Sequence, residues 1–141
     1  MKNLDYNFIK DKDEYYLIGV VSSYKEYKLA WYINKIFNIS MVKKKNEIIK
    51  LVKDQNIEMS YLIYKNNKKY IRLISNKLRK RQAKSHFIPS LPNFDYLIQF
   101  SKSFFDENPQ TIINKLKSNN IIQFANFVDI KLIKEKYLLY I

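Results

Sequence analysis

The chain has 141 residues, 26 of them basic and 13 acidic, which gives a net charge of +13 at pH 7. Hydrophobic residues make up 47% and aromatic residues 16%, so we expect one folded domain spanning residues 1–141. The absence of cysteine, with one histidine and one glycine, excludes disulfides, thiol catalysis, polyhistidine metal sites and glycine-rich phosphate loops.

The N-terminal region is expected to pass from a loose lead-in to a buried strand. Residues 1–14 are polar and charged without a clear period, as is typical of a poorly ordered terminus. Residues 15–21 form a continuous apolar run rich in β-forming residues, which predicts a strand buried on both faces. Gly19 inside this run indicates a bulge or a close backbone contact.

An amphipathic helix is predicted over residues 24–37. Ser23 and Glu26 have the spacing of a capping box, in which a hydroxyl and a carboxylate satisfy free backbone N–H groups. The sequence therefore predicts that these two side chains cap the helix. Tyr27 and Trp31 lie beside its apolar face and are expected to cover the edge of that face. The buried face itself is predicted to comprise Leu29, Ile33, Ile36 and Phe37.

A β-hairpin is the clearest local prediction in the middle of the chain. Residues 57–64 and 69–75 have the alternating pattern of strands, and Asn66 and Asn67 lie between them. Asparagine tolerates the positive φ that a tight hairpin turn requires. Before this hairpin the pattern is ambiguous: residues 39–42 fit a short strand, and residues 46–52 fit one or two helical turns.

The next segment is expected to add a strand and a short helix. Residues 78–85 are polar and basic and predict an exposed connection. Residues 94–100 alternate cleanly between apolar and polar side chains, which predicts another strand. Asn108 followed by Pro109 is a favoured helix start, so a helix is predicted from there to about residue 118.

The C-terminal region completes the predicted set of elements. Residues 121–128 predict a last strand, and Asp129 is expected to cap a final helix over residues 130–136. The apolar end, residues 137–141, is expected to pack on the body of the protein. Because several strands follow one another in the middle of the chain, the pattern favours an α+β fold. We expect a two-layer sandwich with a mostly antiparallel sheet and helices on one face.

The nonapeptide at residues 88–96, IPSLPNFDY, resembles the signature of the IPExxxVDY family, which comprises small proteins of Bacteroidota without an assigned activity. Ser90 stands where the family has Glu, and Phe94 stands where it has Val. Residues 27–34 and 73–76 are also similar to the family's pattern, so the resemblance spans most of the chain. It implies no activity or cofactor for this protein. The signature residues that match are Ile88, Pro89, Asp95 and Tyr96.

The residue types of this nonapeptide indicate a structural role. Pro89 and Pro92 hold the chain extended and disfavour a helix. Phe94 and Tyr96 are then expected on the buried face of the following strand. Asp95 is expected to point the opposite way, where it pairs with a basic side chain or caps a neighbouring turn.

The positive charge has two interpretations that the residues leave open. A surplus of this size attracts nucleic acid, anionic membrane or an acidic partner. However, only three of the 26 basic residues are arginine, and Lys, Asn, Ile, Tyr and Phe, which A/T-rich codons encode, are abundant. A genome of low G+C content therefore explains the charge equally well.

The strongest concentration of basic side chains follows the predicted hairpin and is the candidate nucleic-acid site. It places two of the three arginines close together, and guanidinium groups bind phosphates well. Lys65, Lys68 and Lys69 on the hairpin are expected to extend it, with aromatic residues interleaved as in proteins that stack on bases. The candidate contact residues are Arg72, Lys77, Arg79, Lys80, Arg81 and Lys84.

The sequence shows no catalytic constellation, and we expect a non-enzymatic protein without a cofactor or metal. The single histidine, His86, has no acidic partner near it in the sequence, although a general base requires a positioned partner. The N-terminus lacks an apolar leader and the apolar runs are short, so we expect a cytoplasmic protein that does not enter membranes. Two functions stay open: an RNA-binding or ribosome-associated factor, or a protein-interaction module that uses exposed aromatic residues.

Overall fold

A computed structural model describes residues 15–51, 55–78 and 85–141. The predicted lead-in, residues 1–14, lies outside this described part of the chain. Two short 3-10 helices, Ile130–Leu132 and Lys136–Tyr140, follow the last strand. The strands and α-helices are β1 (Tyr15–Val21), α1 (Glu26–Phe37), β2 (Val42–Lys43), β3 (Glu47–Lys50), β4 (Asn56–Met59), β5 (Tyr61–Asn66), β6 (Lys69–Ser75), β7 (Tyr96–Ser101), α2 (Pro109–Leu116) and β8 (Phe124–Phe127).

Six strands form one antiparallel sheet in the order β2-β5-β6-β7-β1-β8, and β3 pairs with β4 in a second, two-stranded sheet. The central strands β1 and β7 are buried on both faces, as the apolar run of β1 predicts. Gly19 pairs regularly with Leu97, so β1 passes through it without the expected bulge. The close contact is instead with a side chain, because a Cβ atom on residue 19 would lie 2.6 Å from ring atoms of Phe94.

Both α-helices pack on one face of the main sheet, which confirms the predicted α+β sandwich. Leu29 and Ile33 of α1 and Leu116 of α2 are fully buried in the same apolar cluster as Ile98 of β7. Burial of each such side chain contributes about 1.5–3 kcal/mol. The Tyr32 hydroxyl donates to the Leu116 carbonyl oxygen at 3.2 Å and links the two helices.

The opposite face of the main sheet carries a second apolar cluster. Ile57 and Met59 of β4 pack there with Phe87, which lies in the connection before β7. Leu138 and Leu139 of the last 3-10 helix are fully buried in the same cluster. The prediction that the apolar C-terminal residues pack on the body is therefore confirmed.

The predicted capping box at the start of α1 is wrong. The helix begins at Glu26 after Lys25, and among the described residues no side chain caps this end. Ser23 is exposed, and the neighbouring Ser22 hydroxyl accepts the backbone N–H of Tyr24 at 3.3 Å. The Glu26 carboxylate is not free to reach back to the chain before the helix, because it accepts hydrogen bonds from serines of the sheet.

The predictions for the middle of the chain are partly wrong. Residues 46–52 contain strand β3 rather than helical turns, because pairing with β4 supplies backbone partners that a short helix would lack. The strand expected over residues 57–64 is interrupted at Ser60, where β4 ends and β5 enters the main sheet. The β5–β6 hairpin is confirmed, and Asn67 takes the positive φ of 57° that its turn requires.

The predicted caps in the C-terminal half are confirmed. The Asn108 side chain accepts the backbone N–H of Gln110 at 2.8 Å, and α2 begins with proline as expected. The Asp129 side chain accepts the N–H of Lys131 at 3.0 Å, but the helix that follows is a short 3-10 turn. The strand expected over residues 121–128 is the shorter β8.

The observed starts of α1 and α2 predict different effects of alanine substitutions at Ser23 and Asn108. Asn108→Ala removes the hydrogen bond to Gln110 and should lower the free energy of unfolding by about 1 kcal/mol. Ser23→Ala should change it by less than about 0.5 kcal/mol, because Ser23 is exposed and caps nothing. Urea denaturation of both variants measures the difference. Equal losses would contradict the observed helix start.

Candidate nucleic-acid interface

The side chain of Asn76, directly after β6, holds the loop that leads into β7. Asn76 is fully buried, and its amide donates to the carbonyl oxygens of Leu91 at 2.8 Å and Phe94 at 2.9 Å. Its Oδ1 accepts the backbone N–H of Ile88 at 2.9 Å. The segments 73–76 and 88–96, which carry the family resemblance, are therefore in direct contact.

The last two residues of the nonapeptide, Asp95 and Tyr96, anchor the chain that enters α1. The Asp95 carboxylate accepts the backbone N–H of Ser22 at 2.9 Å and pairs with Lys77 at 2.5 Å, so both predicted roles of Asp95 are confirmed. The Tyr96 hydroxyl donates to the Tyr24 carbonyl oxygen at 2.6 Å. Burial, together with nearby carboxylates, raises the pKa of Tyr96 to about 12, so this donor keeps its proton at neutral pH.

Ser90, which departs from the family signature, also has a structural contact. Its hydroxyl lies 2.9 Å and 2.6 Å from the two carboxylate oxygens of Glu135. This contact ties the loop before β7 to the C-terminal segment. Ser90, Asp95 and Tyr96 therefore all make contacts within the fold, which supports a structural role for the nonapeptide.

A cleft of about 430 Å³ lies beside the N-terminus of α1. The Glu26 carboxylate stands in its wall and accepts hydrogen bonds from the hydroxyls of Ser60, at 3.0 Å, and Ser75. Lys43 approaches the same carboxylate at 3.8 Å, and Lys77 also lines the cleft. The cleft wall therefore combines two carboxylates, Glu26 and Glu58, with several cationic groups.

A second part of the wall is a short chain of hydrogen bonds. Lys43 Nζ donates to Asn46 Oδ1 at 2.6 Å, and Asn46 Nδ2 donates to Glu58 Oε1 at 3.1 Å. These contacts connect the edge strand β2 to the two-stranded sheet. Lys43 is thus near the Glu26 carboxylate directly and linked to the Glu58 carboxylate through Asn46, with its Nζ next to the cleft.

Two large aromatic rings stand exposed on the outer face of α1. Tyr27 lines the cleft and is 72% exposed, and Trp31, one helical turn further on, is 58% exposed. The expectation that both rings cover the edge of the buried face is wrong. Cations accompany these aromatics: Lys35 Nζ lies 5.0 Å from the centre of the Trp31 ring, and Lys28 Nζ lies over a neighbouring tyrosine.

Two residues of the predicted basic patch, Arg72 and Lys77, lie within the described residues. Lys77 is described and its side chain is 64% exposed, but it is paired with Asp95. Arg72 is 3% exposed, so its assignment as a nucleic-acid contact is wrong. Its guanidinium donates to Gln99 and to two C-terminal carbonyl oxygens, and burial lowers its pKa. The remaining candidates, Arg79, Lys80, Arg81 and Lys84, lie outside the described residues.

The expected extension of this patch onto the hairpin can be compared only with Lys77, because Arg79, Lys80, Arg81 and Lys84 lie outside the described residues. Lys65, Lys68 and Lys69 are exposed, but they surround the turn between β5 and β6. Lys77 follows the other end of β6, about 20 Å away at 3.3 Å per residue. The hairpin lysines therefore lie on a different part of the surface from Lys77, a consequence of strand direction that charge counting along the chain does not reveal.

Other candidate sites remain sparse in the described part of the chain. His86 is half-buried and its Nδ1 lies 3.1 Å from the hydroxyl of Ser85. Within residues 15–51, 55–78 and 85–141, no group of three or more His, Cys, Asp or Glu side chains is placed to hold a metal ion. The helices of these same ranges are too short or too polar to cross a membrane.

The chain matches no protein-family model, no curated protein and no solved structure. The functional proposal therefore rests on the geometry of α1 and its cleft. We name this surface the α1 surface and define it by Tyr27, Trp31, Lys28, Lys35 and Lys43. The sequence contained one signal for it, the i, i+4 spacing of two large aromatics among lysines, which the helix periodicity assigned to the edge of the core.

Asn76 offers a direct test of the scaffold beneath this surface. Asn76→Ala leaves one buried N–H and two carbonyl groups without their partner and should lower the free energy of unfolding by about 3 kcal/mol or more. Asn114→Ala, on the exposed face of α2, serves as a control and should change it by less than about 0.5 kcal/mol. Urea denaturation measures both. A loss below about 1 kcal/mol for Asn76→Ala would contradict its anchoring role.

Proposed function

We propose that this protein is a non-enzymatic, cytoplasmic factor that binds single-stranded RNA through the α1 surface and the adjoining cleft. The observation that carries the proposal is the exposure of Tyr27 and Trp31 among lysines on one helix face. Contiguous exposed apolar surface marks interaction sites, and these two rings are neighbours on the helix. Exposed rings beside cations are typical of surfaces that bind single-stranded RNA, since the rings stack on bases and the cations bind phosphates.

The spacing of the two rings supports stacking. Residues four apart on a helix have Cβ atoms about 5–6 Å apart, so one RNA strand can reach both rings. A base between the rings of Tyr27 and Trp31, or bases stacked on their outer faces, would bury apolar ring surface that now faces water. Stacking of this kind tolerates any base, because every base has a π-face.

The lysines around the rings supply the phosphate contacts. Lys28 and Lys35 lie on the same helix, and Lys43 lies across the cleft on β2. Lysine holds phosphate as a point charge rather than in a fixed fork. Such contacts position a strand without reading its sequence. We therefore expect RNA binding by the α1 surface to depend strongly on salt.

The exposed aromatics also raise a second candidate, a protein-interaction module whose charge reflects genome composition. Tyr and Trp are enriched among residues that dominate protein interfaces. Lysine, however, is depleted there relative to the rest of the surface. Because lysines accompany the rings of α1, the surface fits RNA better than a protein partner. Ribonuclease-resistant co-purification with one defined protein, without RNA affinity, would favour the second candidate.

Removal of the two rings tests the proposal. Each Ala substitution, Tyr27→Ala and Trp31→Ala, should weaken binding of a single strand of about 12 nucleotides by about fivefold or more. Tyr137→Ala is the matched control, because Tyr137 is 51% exposed on the C-terminal 3-10 helix and should not affect binding. Fluorescence anisotropy of labelled RNA at about 50 mM salt gives the affinities.

Trp31 also reports directly on stacking, since it is the only tryptophan of the chain. RNA should quench its fluorescence in the wild-type protein. No RNA affinity at about 50 mM salt would overturn the proposal, because the electrostatic contribution is strong there. An equal loss in Tyr137→Ala would show that the rings of α1 have no special role.

The basic segment outside the described residues has its own prediction. Replacing Arg79, Lys80 and Arg81 together with Ser should weaken binding at every RNA sequence and reduce the slope of log affinity against log salt by about 2. A matched variant, with the hairpin residues Lys65, Lys68 and Lys69 changed to Ser, removes the same charge from the turn between β5 and β6. It should change the slope by less than about 1. Equal slopes for the two variants would mean that net charge alone acts.

A further inference from the structure

We infer that the cleft beside α1 binds a guanine base, with the Glu26 carboxylate and the Lys43 ammonium group as its reading pair. The inference rests on the proposed function, since the bound RNA strand presents the base to the cleft. It adds a sequence preference at one nucleotide to a surface that otherwise binds any strand. Stacking and phosphate contacts alone provide no such preference.

The Glu26 carboxylate is held in place and retains acceptor capacity. The hydroxyl of Ser60 donates to Oε1 and that of Ser75 donates to Oε2. An ionised carboxylate has about four lone-pair sites, so each oxygen can accept a further hydrogen bond. The side chain remains 18% exposed in the wall of the cleft, which leaves it within reach of a ligand.

Guanine is the base whose hydrogen-bonding edge complements this pair. Its Watson–Crick edge presents two adjacent N–H donors, at N2 and N1, followed by the O6 acceptor. A carboxylate is an acceptor only, and an ammonium group is a donor only. Glu26 with Lys43 Nζ at 3.8 Å therefore presents acceptor, acceptor and donor in the matching order. Adenine and cytosine place one donor beside an acceptor, and uracil places its donor between two acceptors.

The cleft is large enough for a base, and an exposed aromatic ring lies at its opening. Its volume of about 430 Å³ lies within the range of about 300–1,000 Å³ that small-molecule sites occupy. Tyr27 lines the cleft and is largely exposed, so its ring is available to stack on an inserted base. Lys43 is also bound to Asn46, which keeps its ammonium group at this wall.

The test compares otherwise identical single strands that carry guanine, inosine or adenine at one central position of a uridine background. Inosine keeps the N1–H and O6 groups of guanine and lacks the N2 amino group. The wild-type protein should bind the guanine strand about tenfold more tightly than the adenine strand, with the inosine strand between them. Because these measurements use the unchanged protein, they do not depend on how any variant folds.

Glu26→Gln separates base reading from charge. The substitution removes a negative charge, so electrostatics alone predicts tighter binding of all three strands. Base reading predicts instead that the preference for guanine is lost, because the amide offers only one acceptor oxygen. Glu107→Gln is the matched control. Glu107 precedes α2, pairs with Lys115 of that helix and does not line the cleft. It should retain the full preference.

The outcomes distinguish this inference from the function on which it rests. Equal binding of the three strands would overturn the guanine site and leave RNA binding in place. Retention of the preference in Glu26→Gln would also overturn it. If guanosine monophosphate binds in the cleft while no strand binds, the guanine site is supported and the RNA function is overturned. If neither binds, both are overturned.

Discussion

The amide of Asn76 is the contact on which the rest of the structure depends. It satisfies three backbone groups of the loop between residues 88 and 94 from a fully buried position. Without these bonds, the loop would carry unpaired polar groups through the apolar cluster around Phe87 and Ile88, which is costly. Once the loop is held, Asp95 and Tyr96 bind the chain entering α1. The position of the helix and its surface follows from this anchor.

Glu26 shows how the fold redirects a strong local signal. Its sequence position suits the reciprocal cap of a helix start. In the structure its carboxylate instead accepts two hydroxyls from the sheet and faces a cleft. The helix therefore begins without a side-chain cap among the described residues. Departures from local rules of this kind concentrate at functional sites, which fits a role for Glu26 toward a ligand rather than toward its own helix.

The amino-acid sequence by itself determined the elements whose signals are local. The apolar run of β1, the alternation of β7 and the Asn67 turn are set by side-chain period and by backbone preference, so they could be predicted. The Asn108 and Asp129 caps are equally local, because each needs only a neighbouring N–H group. From these elements the α+β class followed, since consecutive strands form an antiparallel sheet whose apolar surface helices can cover.

The tertiary structure alone decided which residues share a surface. Strand pairing made β3 a strand, and the direction of β6 separated the hairpin lysines from Lys77. The sequence indicates that Arg72 is a surface cation. Its burial is possible because the guanidinium donates to carbonyl oxygens of the C-terminal segment, which is distant in sequence. Tyr27 and Trp31 are exposed because they lie on the face of α1 opposite to the buried Leu29 and Ile33. Contacts between distant parts of the chain are not encoded in local spacing, which is why the cleft that brings Glu26 close to Lys43 could not be predicted.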